Sequence, residues 1–374
     1  MTGLALFSGS YDPADVTFLL TPVDPAAASR LYVEPVAKER LIQQGLRHYS
    51  AMITPEKAPT PDYMAIFETA LARHAARMGR EAAGLVRAIH VRIDGPITLC
   101  SLVRAGVPLG VLLQRGLALL GRDTVHFGIS IIRDRGIDAV AMAHVLTHRP
   151  PGGVVFVDGW TGKGAITDEL EHALADWPDL HPRLVVLADP AGRAWLSSGH
   201  DDWLIPSGIL GSTVSGLISR SILNDAVVPP GGFHAALYLQ ALAEHDVSRR
   251  FVDLISAHLR AELADGATKA SEPAAGIRQT ARAVIDALAQ HHGIANRNRI
   301  KPGIAEATRA VLRRAPERIL VAGDDDPDLA GLRYLARNTG VAIERTRTPL
   351  FPYRAVTIIA DAGADSPART PLVP

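Results

Sequence analysis

The residues best able to do chemistry lie in one string, Val154–Ile166, reading VVFVDGWTGKGAI. Four apolar residues run into Asp158, then Gly159 and Trp160, then Thr161-Gly162-Lys163-Gly164 ahead of a helical stretch. Glycines at this density let the backbone curl until successive N–H groups converge on an anion. The helix behind adds free N–H groups and the positive end of its dipole. Thr161 offers a hydroxyl donor, Lys163 a positive charge, and Asp158 a carboxylate that can accept from sugar hydroxyls. The full G-x-x-x-x-G-K-[ST] spacing is missing, which argues against a nucleoside-triphosphate P-loop. A plain strand–turn–helix connection would use the same residues, and that alternative stays open. A second loop, Arg104-Ala105-Gly106, follows the apolar run Ile97–Val103 and precedes a helix from Pro108. Gly106 permits close backbone approach, and Arg104 carries a fork-shaped donor for phosphate.

Elements must bring these loops together. Apolar runs at Ile97–Val103, His126–Ile132, Gly153–Val157 and Leu184–Ala188 alternate with helical stretches, the pattern of a parallel sheet with helices on both faces. Ligands of such sheets sit at the carboxyl ends of the strands. A helix is expected over Pro35–Ser50 and another over Tyr63–Ala88, broken near Gly79 and Gly84. Residues 200–292 read as a mostly helical extension, with Phe233–His245, Arg250–Leu263 and Ile277–His291 as its helices and an exposed loop at Lys269–Gly276. Within it, Ser212, Thr213, Ser215 and Arg220 are candidates to line an acceptor pocket, although a close-packed small-residue helix would look the same. Ser8-Gly9-Ser10-Tyr11 is a candidate cover for the site. Residues 303–362 form a second α/β pattern: helix Ile304–Arg314, strand Arg318–Ala322, helix Asp328–Thr339, strand Ile343–Arg347 and strand Ala355–Ala360. The expected division is 1–294, 295–362 and a disordered tail at 363–374.

With 374 residues, 47% hydrophobic and 21% charged, the chain can bury a large core. Lys plus Arg equals Asp plus Glu at 39 each, so the overall charge selects no polyanion. No signal peptide is read at the N-terminus and no run reaches the ~18 apolar residues of a membrane span, so a cytoplasmic protein is expected. A single cysteine, Cys100, excludes an internal disulfide and a multi-cysteine zinc site. The histidines show no H-E-x-x-H, and His144 and His148 share a helix face without a third ligand.

The paired loops resemble those of type I phosphoribosyltransferases. More closely, FSGSYDPADVTFLL, HYSAMI, SLVRAGVPLGVLL, HFGISIIRDRGID, FVDGWTGKGAI and IPSGILGSTVSGLISR resemble a bacterial branch tied to tellurite-resistance and stress gene clusters and labelled "cysteine protease StiP". The resemblance spans roughly residues 5 to 290. It implies a type I phosphoribosyltransferase-like parallel sheet with a helical extension. It also implies a pyrophosphate loop at Arg104, Ala105 and Gly106, and a sugar-phosphate loop at Asp158, Gly159, Thr161, Gly162, Lys163 and Gly164. Asp158, Lys163 and Arg104 would carry catalysis, Arg133 and Arg220 would contact substrate, and Arg133-Asp134-Arg135 would sit either on a mobile closing loop or on a solvated charged turn. The sequence departs from the general pattern in having Gly159 for a second acidic residue and a shorter loop.

The activity implied is a Mg²⁺-dependent transfer, or hydrolysis, of the phosphoribosyl group of phosphoribosyl pyrophosphate. The acceptor would be nucleobase-like and the setting stress or tellurite resistance. Magnesium would be held through the substrate, with Asp158 as its one side-chain candidate. The alternatives are a non-catalytic sensor of a nucleotide or phosphoribosyl pyrophosphate that also binds RNA, and a cysteine protease using Cys100. Residues 303–360 resemble the pelota-type RNA-binding domain, a small α/β (pelota-like) unit. This implies RNA contacts at Gly303, Glu306, Arg309 and Arg313, with Arg297, Arg299 and Lys301 adding charge. An accessory or homodimerisation role is the other reading of this unit.

Overall fold

The computed structural model describes residues 6–266 and 275–361. The expected tail at 363–374 and most of the loop at Lys269–Gly276 lie outside them. The main sheet holds six parallel strands: β1 (Thr17–Phe18), β2 (Ile97–Leu102), β3 (Thr124–Ile129), β4 (Val154–Val157), β5 (Leu184–Val186) and β6 (Leu196–Ser197), in spatial order β1-β3-β2-β4-β5-β6. The helices with it are α1 (Pro35–Gln43), α2 (Pro61–Arg92), α3 (Val107–Leu119), α4 (Ala139–His148), α5 (Ala165–Ala173) and α6 (Ser248–Asp265). Strand side chains alternate between faces. Leu99, Val155, Val157 and Val185 join α2, α3 and α6 in one core, while Cys100, Phe156, Leu184 and Val186 join α4 and α5 in the other. Covered on both sides, the central strands read as continuous apolar runs.

α2 is unbroken. Thr60 caps it by accepting from the Tyr63 N–H at 3.3 Å, and Pro61 occupies the first turn. The expected break at Gly79 is instead a close approach: a Cβ there would lie 2.4 Å from the Cβ of His258 on α6. The expected helical extension is corrected over 200–247, where short 3₁₀ turns and isolated bridges replace helices. In place of a helix over Phe233–His245 there is a two-residue strand, Ala235–Ala236, paired with Thr21–Pro22, and a 3₁₀ turn, Gln240–His245. Pro206, Pro229 and Pro230 interrupt this segment, and Gly216 and Leu217 adopt positive φ, which no α-helix contains.

α7 (Ile277–His291) lays an apolar face on a second, four-stranded sheet made of β7 (Ile300–Pro302), β8 (Pro316–Val321), β9 (Ala342–Arg345) and β10 (Ala355–Ile359). Its order is β7-β10-β8-β9, with β10 antiparallel to both neighbours and β8 parallel to β9. α8 (Ile304–Arg313) and α9 (Ala330–Thr339) complete this unit. Strand β7 was missed because it is short and ends in Pro302, which cannot donate and suits an edge.

The small unit is seated on the main one through polar contacts. Glu39 accepts both arms of the Arg314 guanidinium at 2.6 Å, and His74 meets Asp328 at 2.8 Å. The Tyr353 hydroxyl donates to the Gly162 carbonyl at 3.0 Å, and Asp202 accepts the first N–H of α8 at 2.9 Å. Gly303, at φ +90°, makes the turn into α8 directly above Asp202. No helix among the described residues is long and apolar enough to cross a membrane.

Candidate functional site

β2 and β4 are neighbours, so the loops that follow them meet at one sheet edge. A Cβ on Gly106 would lie 2.0 Å from the Val157 carbonyl oxygen, and one on Gly159 would lie 3.1 Å from that of Ala105. Only glycine lets the two turns close up in this way. Gly164, at φ +89°, then turns the chain into α5, whose first residues face a cavity of about 660 Å³. The main unit forms one side, through Ala105, Asp158 and the Trp160–Gly164 loop. The segment from Lys38 to Tyr49 and the Arg133–Arg135 turn form a second side, and β7 with α8 of the small unit forms the third.

Charge is concentrated here. Eleven Lys and Arg side chains line the cavity against four carboxylates, in a chain whose net charge is zero. Burial pushes Asp158 up to about 7, against the Gly159 N–H, which donates to its Oδ1 at 2.7 Å, and against Arg309. Burial, then Lys301 and Arg133, brings Lys163 down to about 7. Burial, then Arg220, Arg313 and Arg314, brings Lys38 down to about 6. Lys301 falls to about 8, chiefly by burial although Glu306 opposes it, and Arg313 is held well below its ordinary value by burial, Arg104 and Arg309. Burial would raise Glu306, yet Lys301, Arg133, Arg309 and Arg313 hold it low. These are the marks of cations packed together without enough counter-charge. Among the described residues the Arg313 side chain forms no ion pair or hydrogen bond, only Glu56 attracting it from farther off, and the buried Nε atoms of Arg133 and Arg309 have no acceptor.

Of the expected sugar-phosphate residues, Asp158, Gly162, Lys163 and Gly164 line the cavity, as do Ala105, Arg133 and Arg220. Thr161 lines it too, but its hydroxyl donates to buried Asp189 at 2.5 Å. Arg104 does not line it: its guanidinium pairs with Glu56 at 2.5 Å and donates to the Ile218 carbonyl at 3.0 Å. Gly106 and Gly159 serve the packing of the two loops. Arg220 donates to the carbonyls of Tyr49 and Met52, and Lys163 to that of Arg297. The Arg133–Arg135 segment, expected as a mobile loop, is the turn of a two-stranded hairpin, its Asp134 and Gly136 N–H groups bound to Glu169. Ser212, Thr213 and Ser215 are buried away from the cavity in a 3₁₀ turn, not a helix. Ser8–Tyr11 packs on Val214 and Gly216 rather than covering the site.

Three of the four residues expected to touch RNA are at the cavity, and Gly303 is not. Glu306, Arg309 and Arg313 line the same cavity, and the Arg309 guanidinium lies 4.5 Å from the centre of the Trp160 ring. Sequence reasoning missed Lys38, Glu39 and Arg314, and it read Lys301 only as a charged lead-in. Nothing local marks them, because they come together through the docking of the two units.

Cys100 lies in the middle of β2, fully buried, and burial pushes its thiol up to about 12. His126 sits on the other face of the sheet, since it pairs in register with Leu99, and its Nε2 meets the Ser101 hydroxyl at 2.7 Å. No group of three or more metal-ligating side chains occurs among the described residues.

Comparison with known proteins places residues 9–256 in the family described as tellurite-like stress resistance cysteine protease StiP, and residues 279–361 in the PELOTA RNA binding domain family. A protein of Acinetobacter baylyi named cysteine protease StiP is 44% identical over 372 residues, covering 96% of this chain and 95% of the relative. This match overturns the expected magnesium-dependent phosphoribosyltransferase. A relative similar from end to end carries a peptidase's name and not a transferase's.

Proposed function

The chain belongs to the tellurite-like stress resistance StiP family, and from that premise we propose that its cavity is a receptor for a phosphorylated small molecule of the nucleotide class. The eleven basic side chains facing four carboxylates around one cavity carry this reading. Clustered cations with unpartnered donors are stabilised by an anion that accepts several charge-assisted hydrogen bonds. α5 adds the free N–H groups of its first turn at the Gly-rich loop. The main sheet is read as phosphoribosyltransferase-like in architecture alone, since a fold does not imply a reaction. Calorimetry at low salt with inorganic phosphate, pyrophosphate, AMP and ATP tests the receptor. Saturable binding that Arg313→Met weakens is expected, and no heat with any of the four removes the reading.

The family description and the relative's name favour a second reading, peptide hydrolysis, which on this chain would fall to its single cysteine. A catalytic thiol is activated by cations, a helix N-terminus or an adjacent base, none of which offsets burial at Cys100. Casein digestion by wild type and Cys100→Ala decides the matter: loss of cleavage in the variant establishes a peptidase, and equal cleavage removes Cys100 from it.

A further inference from the structure

The cavity is an interface as well as a pocket. Lys38, Arg133, Lys163 and Arg220 come from the main unit, and Lys301, Arg309 and Arg313 from the small one. Across the gap like charges add to the effect of burial: Lys301 on Lys163, Arg313 on Lys38, and Arg104 on Arg313. Of the contacts that seat the small unit, Glu39–Arg314 lines the cavity itself, whereas His74–Asp328 and Asp202 with the start of α8 lie outside it. The interface therefore attracts through these pairs and repels through its cationic centre. Hydrogen-bond capacity in the centre is also unspent, at the Nε atoms of Arg133 on one unit and Arg309 on the other.

We propose that the ligand of this cavity is an interdomain clamp, an oxyanion held by cations of both units, whose departure loosens α8 and the small unit from the main one. The proposal rests on the receptor reading above and adds to it that ligand binding and docking are one equilibrium. An anion at the centre turns cation–cation repulsion into two sets of cation–anion attraction, one to each unit. It binds the docked state and finds only half a site on either unit apart, so by mass action it favours docking by the factor 1 + [L]/Kd. The cations of α8 are thereby withheld from other polyanions while the cavity is filled.

Hydrogen exchange of the full chain, with and without inorganic pyrophosphate, tests this. At pyrophosphate ten times its Kd, amides of α8 that exchange through undocking should slow about tenfold. Arg313→Met, from one unit, and Lys163→Met, from the other, should each abolish the slowing. Calorimetric binding of pyrophosphate with unchanged exchange in α8 would overturn the clamp and leave the receptor standing. Slowing that survives both variants would also overturn it. Absence of pyrophosphate binding removes the clamp, and the receptor falls with it only if phosphate, AMP and ATP fail as well.

Discussion

Cys100 and Asp158 stand on neighbouring parallel strands, and burial raises both, to about 12 and about 7. Cys100 is in mid-strand, paired with Phe127 and Phe156 and covered by the core that contains Met142 and Leu170. Nothing charged or polar offsets its burial. Asp158 stands one residue beyond β4, its N–H still bonded to the Val185 carbonyl, where Arg309 and the Gly159 N–H reach its carboxylate. The middle of a doubly covered parallel strand is kept dry by helices on both faces, whereas its carboxyl end opens toward ligand. In this chain the name carried by the family points to the first position, and the concentration of charge points to the second.

The largest test of that contrast is mechanical. Phe156→Ala, in the core beside Cys100, should cost about 3–5 kcal/mol in urea unfolding, because a large buried ring leaves a cavity behind. Arg313→Met should cost less than about 1 kcal/mol, or stabilise, since it removes a buried charge without a partner and keeps an apolar stem. Equal losses would mean that the cavity cations are structural.

The thiol supplies the next. With its pKa at about 12, Cys100 should react with a disulfide reagent at pH 7 on the order of a thousandfold more slowly than a free cysteine, and at the ordinary rate once the chain is unfolded. Fast labelling of the folded chain would bring the strand centre back as a working site.

The same contrast explains what the sequence made legible. Apolar runs and glycine-rich turns are local signals, so the parallel sheet, the two loops at one edge, α6 to α9 and the small second sheet could be read from it. The buried position of Cys100 was equally plain, because Ile97–Leu102 has no polar face. The path of 200–247 was not, since buried serines and glycines with tertiary hydrogen bonds give no period to read. Half of the cavity was hidden for another reason: Lys38 lies far in sequence from Glu306 and Arg314, and they face one cavity only on docking. Glu306, Arg309 and Arg313 were picked out as RNA contacts, and in the structure they line the cavity.

At the cavity itself, Arg313→Met should weaken binding of a phosphorylated ligand by roughly 10- to 100-fold, the worth of one charge-assisted hydrogen bond. Cys100→Ser should leave it unchanged. Calorimetry on both variants checks this, and a reversed order would place the ligand against the strand and not at its end.

The smallest effect is a slope. The Asp158 carboxyl rises from 3.8 to about 7 on folding, so between those values the folded chain holds a proton that the unfolded chain releases. Its contribution to stability is fully present below pH 3.8 and is lost as pH rises through about 7. Asp158→Asn removes that contribution, so wild type should lose more stability than the variant between pH 4.5 and 5.5. The difference should be no more than about 1 kcal/mol, near the limit for one proton per pH unit. Lys38 and Lys163, lowered to about 6 and about 7, act in the opposite sense and mainly above this window. Asp202, also raised to about 7 by burial, titrates in both proteins and cancels. Parallel urea midpoints across the window would mean that the Asp158 carboxyl is as well solvated as a surface group, and the likeness to buried Cys100 would fail at the end where ligand is expected.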